Sequence, residues 1–162
     1  MSVLSEAEMT FLRRAVDLAA EALDAGDQPF GSVLVGGDGR LLAEDRNRVG
    51  SGDPTRHPEL ELARWAATYL RSEERAAAVV YTSGEHCPMC AAAHAQVGLG
   101  RIVCAASSAQ LTAWLAEWGL PPGPVRPLPI REIAPGLRVE GAVPQLEPEL
   151  RELYRRCFAP GR

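Results

Sequence analysis

The chain alternates between helix-like and strand-like segments, and no other feature of the sequence restricts its fold as strongly. Residues 5–8 (SEAE) form a capping box that opens an apolar-periodic stretch to about Ala25, and Gly26 predicts its end. The runs FGSVLVG and RLLAEDRN are separated by the turn residues 37–39 (GDG) and predict a β-hairpin. A helix followed by a hairpin is therefore expected to open the fold.

The same kinds of pattern continue along the rest of the chain. Apolar residues at helical spacing predict helices over 58–70, 88–97, 109–118 and 147–158, and the runs AAVVYTS and RIVCAAS predict buried strands. We interpret VRPLPIREIA as an edge strand, because proline is tolerated at a sheet edge. No internal repeat, linker or low-complexity tract interrupts this order. It predicts an α/β fold, a three-layer α/β/α sandwich, in one domain spanning residues 1–162.

Composition and charge exclude several classes of protein. At 162 residues and 46% hydrophobic, the chain can bury a substantial core. Its net charge of −4 argues against a general nucleic-acid binder, since such proteins carry a broad basic field. Residues 1–6 carry no leader pattern, and no apolar run approaches the ~18 residues of a membrane span. We expect a cytoplasmic protein whose four irregularly spaced cysteines serve metal binding or catalysis rather than a disulfide framework.

The segment EHCPMC places Cys87 and Cys90 three positions apart, directly after a predicted strand and at the start of a predicted helix. Unpaired N–H groups and the helix dipole stabilise thiolates at such a position. Three uses are open for the pair: a redox couple, half of a structural zinc site, or part of a catalytic metal centre. A structural zinc needs two further ligands, and the sequence has no second CxxC or closely spaced histidine pair. The structural site is therefore the weakest alternative.

The segment DPTRHPELELAR supplies a candidate for a third ligand. His57 precedes Pro58, and proline is favoured at the first position of a helix, so His57 is predicted to cap the second helix. Zinc bound by one histidine and two cysteines keeps a fourth position for water, whose pKa it lowers towards ~7. Glu59 is a candidate to stay unligated beside that water and to move protons to a leaving amine.

These motifs resemble the zinc-dependent cytidine deaminase-like superfamily, whose signature combines H-x-E with a later P-C-x-x-C. The matching residues are 57–59 (HPE) and 87–90 (CPMC). The segments PFGSVLV, RN before DPTRHPE, and CPMCAAA resemble the branch that contains guanine, cytosine and tRNA adenosine deaminases. The resemblance covers roughly residues 5–105.

The resemblance implies roles for particular residues. His57, Cys87 and Cys90 would bind zinc, and Glu59 would be the proton shuttle. Asn47 and Phe30 would line the base pocket; on its residues alone, Asn47 is also interpreted as a turn residue at a strand end, and Phe30 as a core residue. The resemblance also implies a mixed five-stranded sheet in the order 2-1-3-4-5 and a homodimer.

Two positions depart from the family pattern, because Pro58 stands in place of the usual alanine and His86 in place of the proline before the first cysteine. Neither departure removes a ligand. His86 is a candidate substrate contact, with solvent or backbone as the alternative surroundings. His94 is interpreted as a hydrogen-bonded core or interface histidine. Trp114 and Trp118 share one helical face and are candidates for a pocket roof or for core packing.

We therefore expect a zinc-dependent hydrolytic deaminase of a free nucleobase, a nucleoside or a related aminated heterocycle, with release of ammonia. Asn47 and backbone groups near Gly84 are expected to orient the ring. The alternatives are a tRNA adenosine deaminase on the same fold, a CxxC thiol oxidoreductase, and a catalytically silent zinc-binding interaction module. A small molecule is favoured over tRNA because phosphate contacts normally use Lys or Arg. The sequence contains no lysine, and its 17 arginines are outnumbered by 21 acidic residues.

Overall fold

A five-stranded sheet forms the centre of the protein in a computed structural model that describes residues 3–162. The strand order is β2-β1-β3-β4-β5; β1 is antiparallel to both β2 and β3, whereas β4 is parallel to β3 and β5. The predicted mixed sheet and its order are confirmed. The strands are β1 (Gly31–Val35), β2 (Leu41–Arg46), β3 (Val79–Gly84), β4 (Ile102–Ala106) and β5 (Val139–Glu140).

Helices cover both faces of the sheet, as the predicted three-layer sandwich requires. On one face, a buried cluster joins the sheet to α1 (Glu6–Asp24), α5 (Ser108–Glu117) and α7 (Glu147–Phe158). On the other face, α2 (Pro58–Tyr69) and α4 (Pro88–Gln96) pack against each other, and a second cluster joins the sheet to α2. Two shorter helices, α3 (Ser72–Ala77) and α6 (Ile130–Ile133), complete the set. Strand β1 shows why both faces are covered, since Val33 packs into the first cluster and Leu34 into the second.

Helix α1 begins at the predicted capping box. The Ser5 hydroxyl accepts from the Glu8 N–H at 3.2 Å, and the Glu8 carboxylate accepts from the Ser5 N–H at 2.8 Å. The helix then buries a continuous apolar face against the sheet. It comes so close to β1 that a Cβ added at Gly31 would lie 2.4 Å from the Ala15 carbonyl oxygen and 2.5 Å from Leu18 Cβ. The glycine of FGSVLVG therefore permits the close packing of helix on strand.

The prediction of an edge strand over residues 125–134 is wrong. This segment is irregular and ends in α6, and the fifth strand is the two-residue β5 further along the chain. Pro127 and Pro129 have no N–H for a strand ladder, and Pro129 is the residue that precedes α6. The Ile130 N–H instead donates to Glu85 Oε1 at 2.8 Å, which holds α6 beside the loop that follows β3. Helix α3 is a further difference, since the sequence patterns did not predict it.

Among residues 3–162, no helix combines the length and the apolar character that crossing a membrane requires. Trp114 and Trp118 both belong to the buried cluster on the α1 face, so core packing is the correct interpretation of this pair.

Candidate metal centre and active site

Three side chains predicted to bind metal meet at one point. His57 Nδ1 lies 3.6 Å from Cys87 Sγ and 3.6 Å from Cys90 Sγ, and all three candidate donor atoms lie within 4.8 Å of one another. One imidazole nitrogen and two thiol sulfurs form a donor set that zinc prefers. The geometry and the chemistry of these residues both fit a zinc ion.

Two helix N-termini position the donors. His57 is the residue before α2 and Cys87 the residue before α4, and each is followed by a proline at the first helical position. Both N-cap residues have extended backbone, so their side chains stand at the mouth of the helix rather than along its side. Cys90 lies in the first turn of α4. The predicted convergence of two helix starts is therefore present.

The two thiols have very different proton affinities when no cation is between them. A hydrogen bond from Cys90 lowers the pKa of Cys87 to about 4, with a smaller contribution from His57. The same interaction with Cys87, together with burial, raises the pKa of Cys90 above its ordinary value. The pair therefore holds one proton, because a second thiolate would be repelled by the first. A divalent cation removes this repulsion and favours both thiolates.

Glu59 lies beside the donors in a buried position, with 5% of its surface exposed. Its Oε1 is 3.2 Å from Thr82 Oγ1 and 3.3 Å from Ser32 Oγ, and these two hydroxyl oxygens are 2.8 Å apart. Burial raises the pKa of Glu59, and the nearby His57 opposes this shift. A carboxyl group whose protonated form is favoured in this way is suited to carrying protons.

Sequence reasoning missed Ser32 and Thr82 as parts of this site. They lie opposite each other on β1 and β3, where Ser32 pairs with Thr82 in the register of the two strands, and both are fully buried. The available signal was a hydroxyl residue inside each of two apolar runs, GSVLV and VVYTS. Buried polar side chains have partners, so these two positions indicated a shared polar contact beneath the site.

Asn47 is buried and is held by two backbone N–H groups. Its Oδ1 accepts from the Val49 N–H at 3.0 Å and from the Gln28 N–H at 3.3 Å, which is the geometry of a turn residue. Its Nδ2 has no partner within residues 3–162. The side chain is therefore oriented by its oxygen and has its amide N–H groups available as donors.

A cavity of about 320 Å³ opens beside the donors. Phe30, Gly84 and Cys87 are part of its lining, and so is Tyr154 of α7, which sequence reasoning did not single out. The rings of Phe30 and Tyr154 lie 5.4 Å apart. The Gly84 carbonyl accepts from Thr82 Oγ1 at 2.9 Å, and the same Thr82 oxygen lies 3.2 Å from Glu59 Oε1. Thr82 therefore links the cavity lining at Gly84 to the Glu59 carboxyl.

His86 and His94 form a buried pair behind the Cys87 loop. Their rings are 5.2 Å apart in an edge-to-face arrangement, and each residue is 1% exposed. His94 Nε2 lies 2.7 Å from the Gly100 carbonyl oxygen, as expected for a hydrogen-bonded core histidine. Neither nitrogen of His86 has a partner in the described part of the chain, and His86 is not among the residues that line the cavity. Its role in substrate binding stays a prediction.

Comparison with known proteins identifies the family. The model of the cytidine and deoxycytidylate deaminase zinc-binding region matches residues 5–106, which is more than half of the chain. The chain belongs to this family. The matched region contains His57, Glu59, Cys87 and Cys90, and the cofactor of the family domain, zinc, is the metal that the three donors fit.

Individual relatives within the deaminases differ in substrate. Guanine deaminase from Bacillus subtilis is 47% identical over 83 residues, covering 50% of this chain and 53% of the relative. Its X-ray structure aligns with 98% of this chain and 98% of its own, at 28% identity and a TM-score of 0.56. The tRNA-specific adenosine deaminase from Haemophilus influenzae is 32% identical over 106 residues, covering 65% of this chain and 61% of the relative. In these sequence comparisons the chain spans a little over half the length of the curated relatives it matches.

Proposed function

We propose that this chain is a zinc-dependent hydrolytic deaminase that replaces an amino group on a nucleobase, nucleoside or related heterocycle with oxygen and releases ammonia. The observation that carries the proposal is the position of Glu59. A buried carboxyl with a raised pKa lies beside a donor set of one histidine and two cysteines, and one of these donors, Cys87, lines a cavity. The described residues would act as one catalytic domain.

His57, Cys87 and Cys90 would hold the zinc. Bound there, the metal supplies Lewis acidity, which makes water an effective nucleophile at neutral pH. Cys87 and Cys90 lie at the start of α4, where the helix dipole stabilises negative charge. Together with the lowered pKa of Cys87, this position supports binding of the metal by thiolates.

Glu59 would move the protons of the reaction. It would take a proton from the attacking water and return protons to the ring nitrogen and to the leaving amine. Ser32 and Thr82 keep its Oε1 in place through their hydroxyl groups, 3.2 to 3.3 Å away. Because the carboxyl is nearly excluded from bulk water, its proton is retained between the two transfers.

Asn47 and Phe30 would orient the ring. The Asn47 amide has its oxygen occupied by backbone donors, so it would offer N–H groups to a ring acceptor. Phe30 would contact the face of the heterocycle, with its own ring supported by Tyr154. Backbone groups at Gly84 lie next to this position, and a side chain there would meet the Tyr154 hydroxyl at 2.9 Å.

A screen for ammonia release tests the proposal. Guanine, cytosine, adenine and their nucleosides are incubated with the zinc-loaded protein beside a tRNA transcript, and a Glu59→Ala variant measures any contaminating activity. Release from at least one small compound, absent in the variant, is the expected result. Absence of release from every compound, or equal release by the variant, would contradict the proposal.

A tRNA adenosine deaminase is the second candidate, supported by the similarity to the Haemophilus influenzae enzyme. Most arginines of this chain lie in ion pairs with acidic side chains, for example Arg14 with Glu44 and Arg46 with Asp27. Such pairs reduce the positive field that a folded RNA requires. Deamination of the transcript alone would favour this candidate over the first.

We also propose a homodimer, as the resemblance to this family implies. Light scattering of the purified protein during gel filtration tests it. A mass of twice the 17.4 kDa chain is expected, and a mass of one chain would overturn the proposal.

A further inference from the structure

We propose that the substrate carries an apolar substituent on its aminated ring, and that this substituent occupies the outer part of the cavity, between α5 and residues 120–128. The inference rests on the proposed function and makes its substrate class narrower. It concerns a region outside residues 5–106, the part that the family model matches. The outer wall therefore belongs to this chain rather than to the shared zinc-binding region.

The cavity reaches the candidate active site at Cys87, the donor residue among those that line it. Its inner end is lined by Cys87 and Gly84, and the Gly84 carbonyl is linked through Thr82 to the Glu59 carboxyl. A ring whose amino-bearing carbon faces Glu59 and Cys87 would fill only this inner end. Atoms attached to the opposite side of the ring would extend towards α5.

The outer wall is apolar except for Thr112. Side chains from α5 and from the proline-rich segment after it form this wall, among them Leu111, Leu115, Leu120, Pro122, Val125 and Leu128. Prolines lack the backbone N–H that could donate a hydrogen bond to a ligand. A wall of this kind favours contact with hydrocarbon atoms.

Three polar residues at the inner edge of this wall, Glu85, Ser107 and Ser108, already have partners within the protein, whereas the buried Tyr154 hydroxyl has none within residues 3–162. Both Glu85 carboxylate oxygens accept hydrogen bonds, one from the Ser108 N–H at 2.8 Å and the other from the Ile130 N–H at 2.8 Å. The Ser108 hydroxyl donates to the same Glu85 carboxylate at 3.0 Å, and the Ser107 hydroxyl accepts from the Gln110 N–H at 3.1 Å. A sugar or phosphate placed here would lose several water contacts and would gain only the hydroxyl groups of Thr112 and Tyr154 as partners.

The size of the cavity also favours a substituted ring. A volume of about 320 Å³ lies within the range of complete small-molecule sites, and a bare nucleobase would leave the apolar outer part in contact with water. Each methylene group buried there is expected to raise kcat/KM by about fourfold, from the ordinary transfer free energy of apolar surface. A propyl group adds three such carbons and would therefore raise kcat/KM by roughly 60-fold when fully buried, and a benzyl group by at least as much.

The test uses matched compounds that share one ring. Adenine, guanine and cytosine are compared with derivatives that carry propyl, benzyl or ribosyl groups at each accessible ring position. Ammonia release gives kcat/KM, and calorimetry gives the dissociation constant of each compound. The expected order is alkylated or benzylated ring first, bare ring second and ribosylated ring last, with roughly 60-fold between the first two.

A pair of variants locates the substituent. Ala116 lies on the exposed side of α5 and lines the cavity, so its replacement leaves the core intact. In Ala116→Asp, the ratio of kcat/KM for the benzylated ring to that for the bare ring should fall towards one, because a carboxylate now faces the apolar group. In Ala116→Val, the matched control, the ratio should be kept. An equal ratio in both variants would overturn the assignment of this wall.

The outcomes separate this inference from the proposed function. Faster turnover of bare or ribosylated rings than of alkylated ones would overturn the inference and leave the deaminase proposal standing. Absence of ammonia from every compound would overturn the deaminase proposal, and calorimetry would then decide the inference alone. Tighter binding of the alkylated rings would support it, and equal or weaker binding would overturn it.

Discussion

Replacement of Glu59 by glutamine should separate catalysis from folding. The two side chains have nearly the same shape, so the variant creates no cavity in a site where Glu59 is 5% exposed. A glutamine carbonyl oxygen can accept from the hydroxyl groups of Ser32 and Thr82, which lie 3.2 to 3.3 Å from Oε1. Each hydroxyl has one proton, and Thr82 Oγ1 also lies 2.9 Å from the Gly84 carbonyl oxygen, so the variant keeps the same set of shared partners; a hydrogen bond of this kind contributes about 1 kcal/mol. The free energy of unfolding should therefore change by about 1 kcal/mol at most.

Turnover should respond very differently. An amide neither accepts nor releases a proton at neutral pH, so the proton transfers assigned to Glu59 lose their carrier. Deleting a general acid or base usually lowers the rate by about 100-fold or more, which corresponds to about 2.7 kcal/mol in the barrier. Ammonia release under saturating substrate measures the rate, thermal unfolding measures stability, and elemental analysis measures zinc.

The matched control is Glu61→Gln in the same helix, whose carboxylate is part of surface ion pairs with Arg56 and Arg64. This variant should keep its turnover, its zinc and its melting temperature. Retention of more than about a tenth of the wild-type turnover by Glu59→Gln would refute the proton-transfer role. Loss of zinc in proportion to activity would refute it as well, because Glu59 would then support the metal centre rather than the chemistry.

Three further predictions test other parts of the structure. Cys87→Ser should lower the zinc content well below one ion per chain in elemental analysis, whereas Cys104→Ser should keep it, since Cys104 lies outside the donor set. Gly31→Ala should lower the free energy of unfolding by about 3 kcal/mol in denaturant titrations, because the added Cβ meets helix α1, while Gly136→Ala meets no atom within 4 Å and should change little. Glu8→Gln should lower the free energy of unfolding by about 1 kcal/mol at pH 7, since hydrogen bonds from Ser5 and then Arg101 lower the pKa of Glu8 from 4.5 to about 2. The difference in unfolding free energy between the wild type and Glu8→Gln should shrink as pH falls from 4.5 towards 2. A difference that stays constant would contradict the lowered pKa of Glu8.

Short motifs were sufficient to predict the chemistry of the candidate site. His57 with Pro58, and Cys87 with the proline after it, are local signals, because a proline at the first helical position determines where each helix begins. Glu59 follows in the first turn of the same helix. The chemical type of each metal donor and its position at a helix start both depend on only a few neighbouring residues. A single sequence is therefore enough to predict them.

Long-range contacts explain why other parts of the site were not predicted. Ser32 and Thr82 meet only because β1 and β3 pair in one particular register, across 50 residues of chain. Tyr154 reaches the cavity because α7 packs back onto the α1 face of the sheet. Periodicity indicates which face of an element is buried but not which distant element covers it.

Local patterning by itself determined the nature of the main elements, the helix starts and the donor set, because capping and hydrophobic spacing act within a few residues. In residues 125–134 the prolines already disfavour a strand ladder, and tertiary structure decided that a helix begins there. That segment has β-branched residues and alternation suited to an edge strand, yet the Glu85 carboxylate accepts from the Ile130 N–H and holds the start of a helix there. The same packing places the segment over the cavity, where it shapes the outer wall. The partly buried hydrogen bond to Glu85, 45 positions away, outweighs the weak local preference of a proline-rich stretch for extended structure.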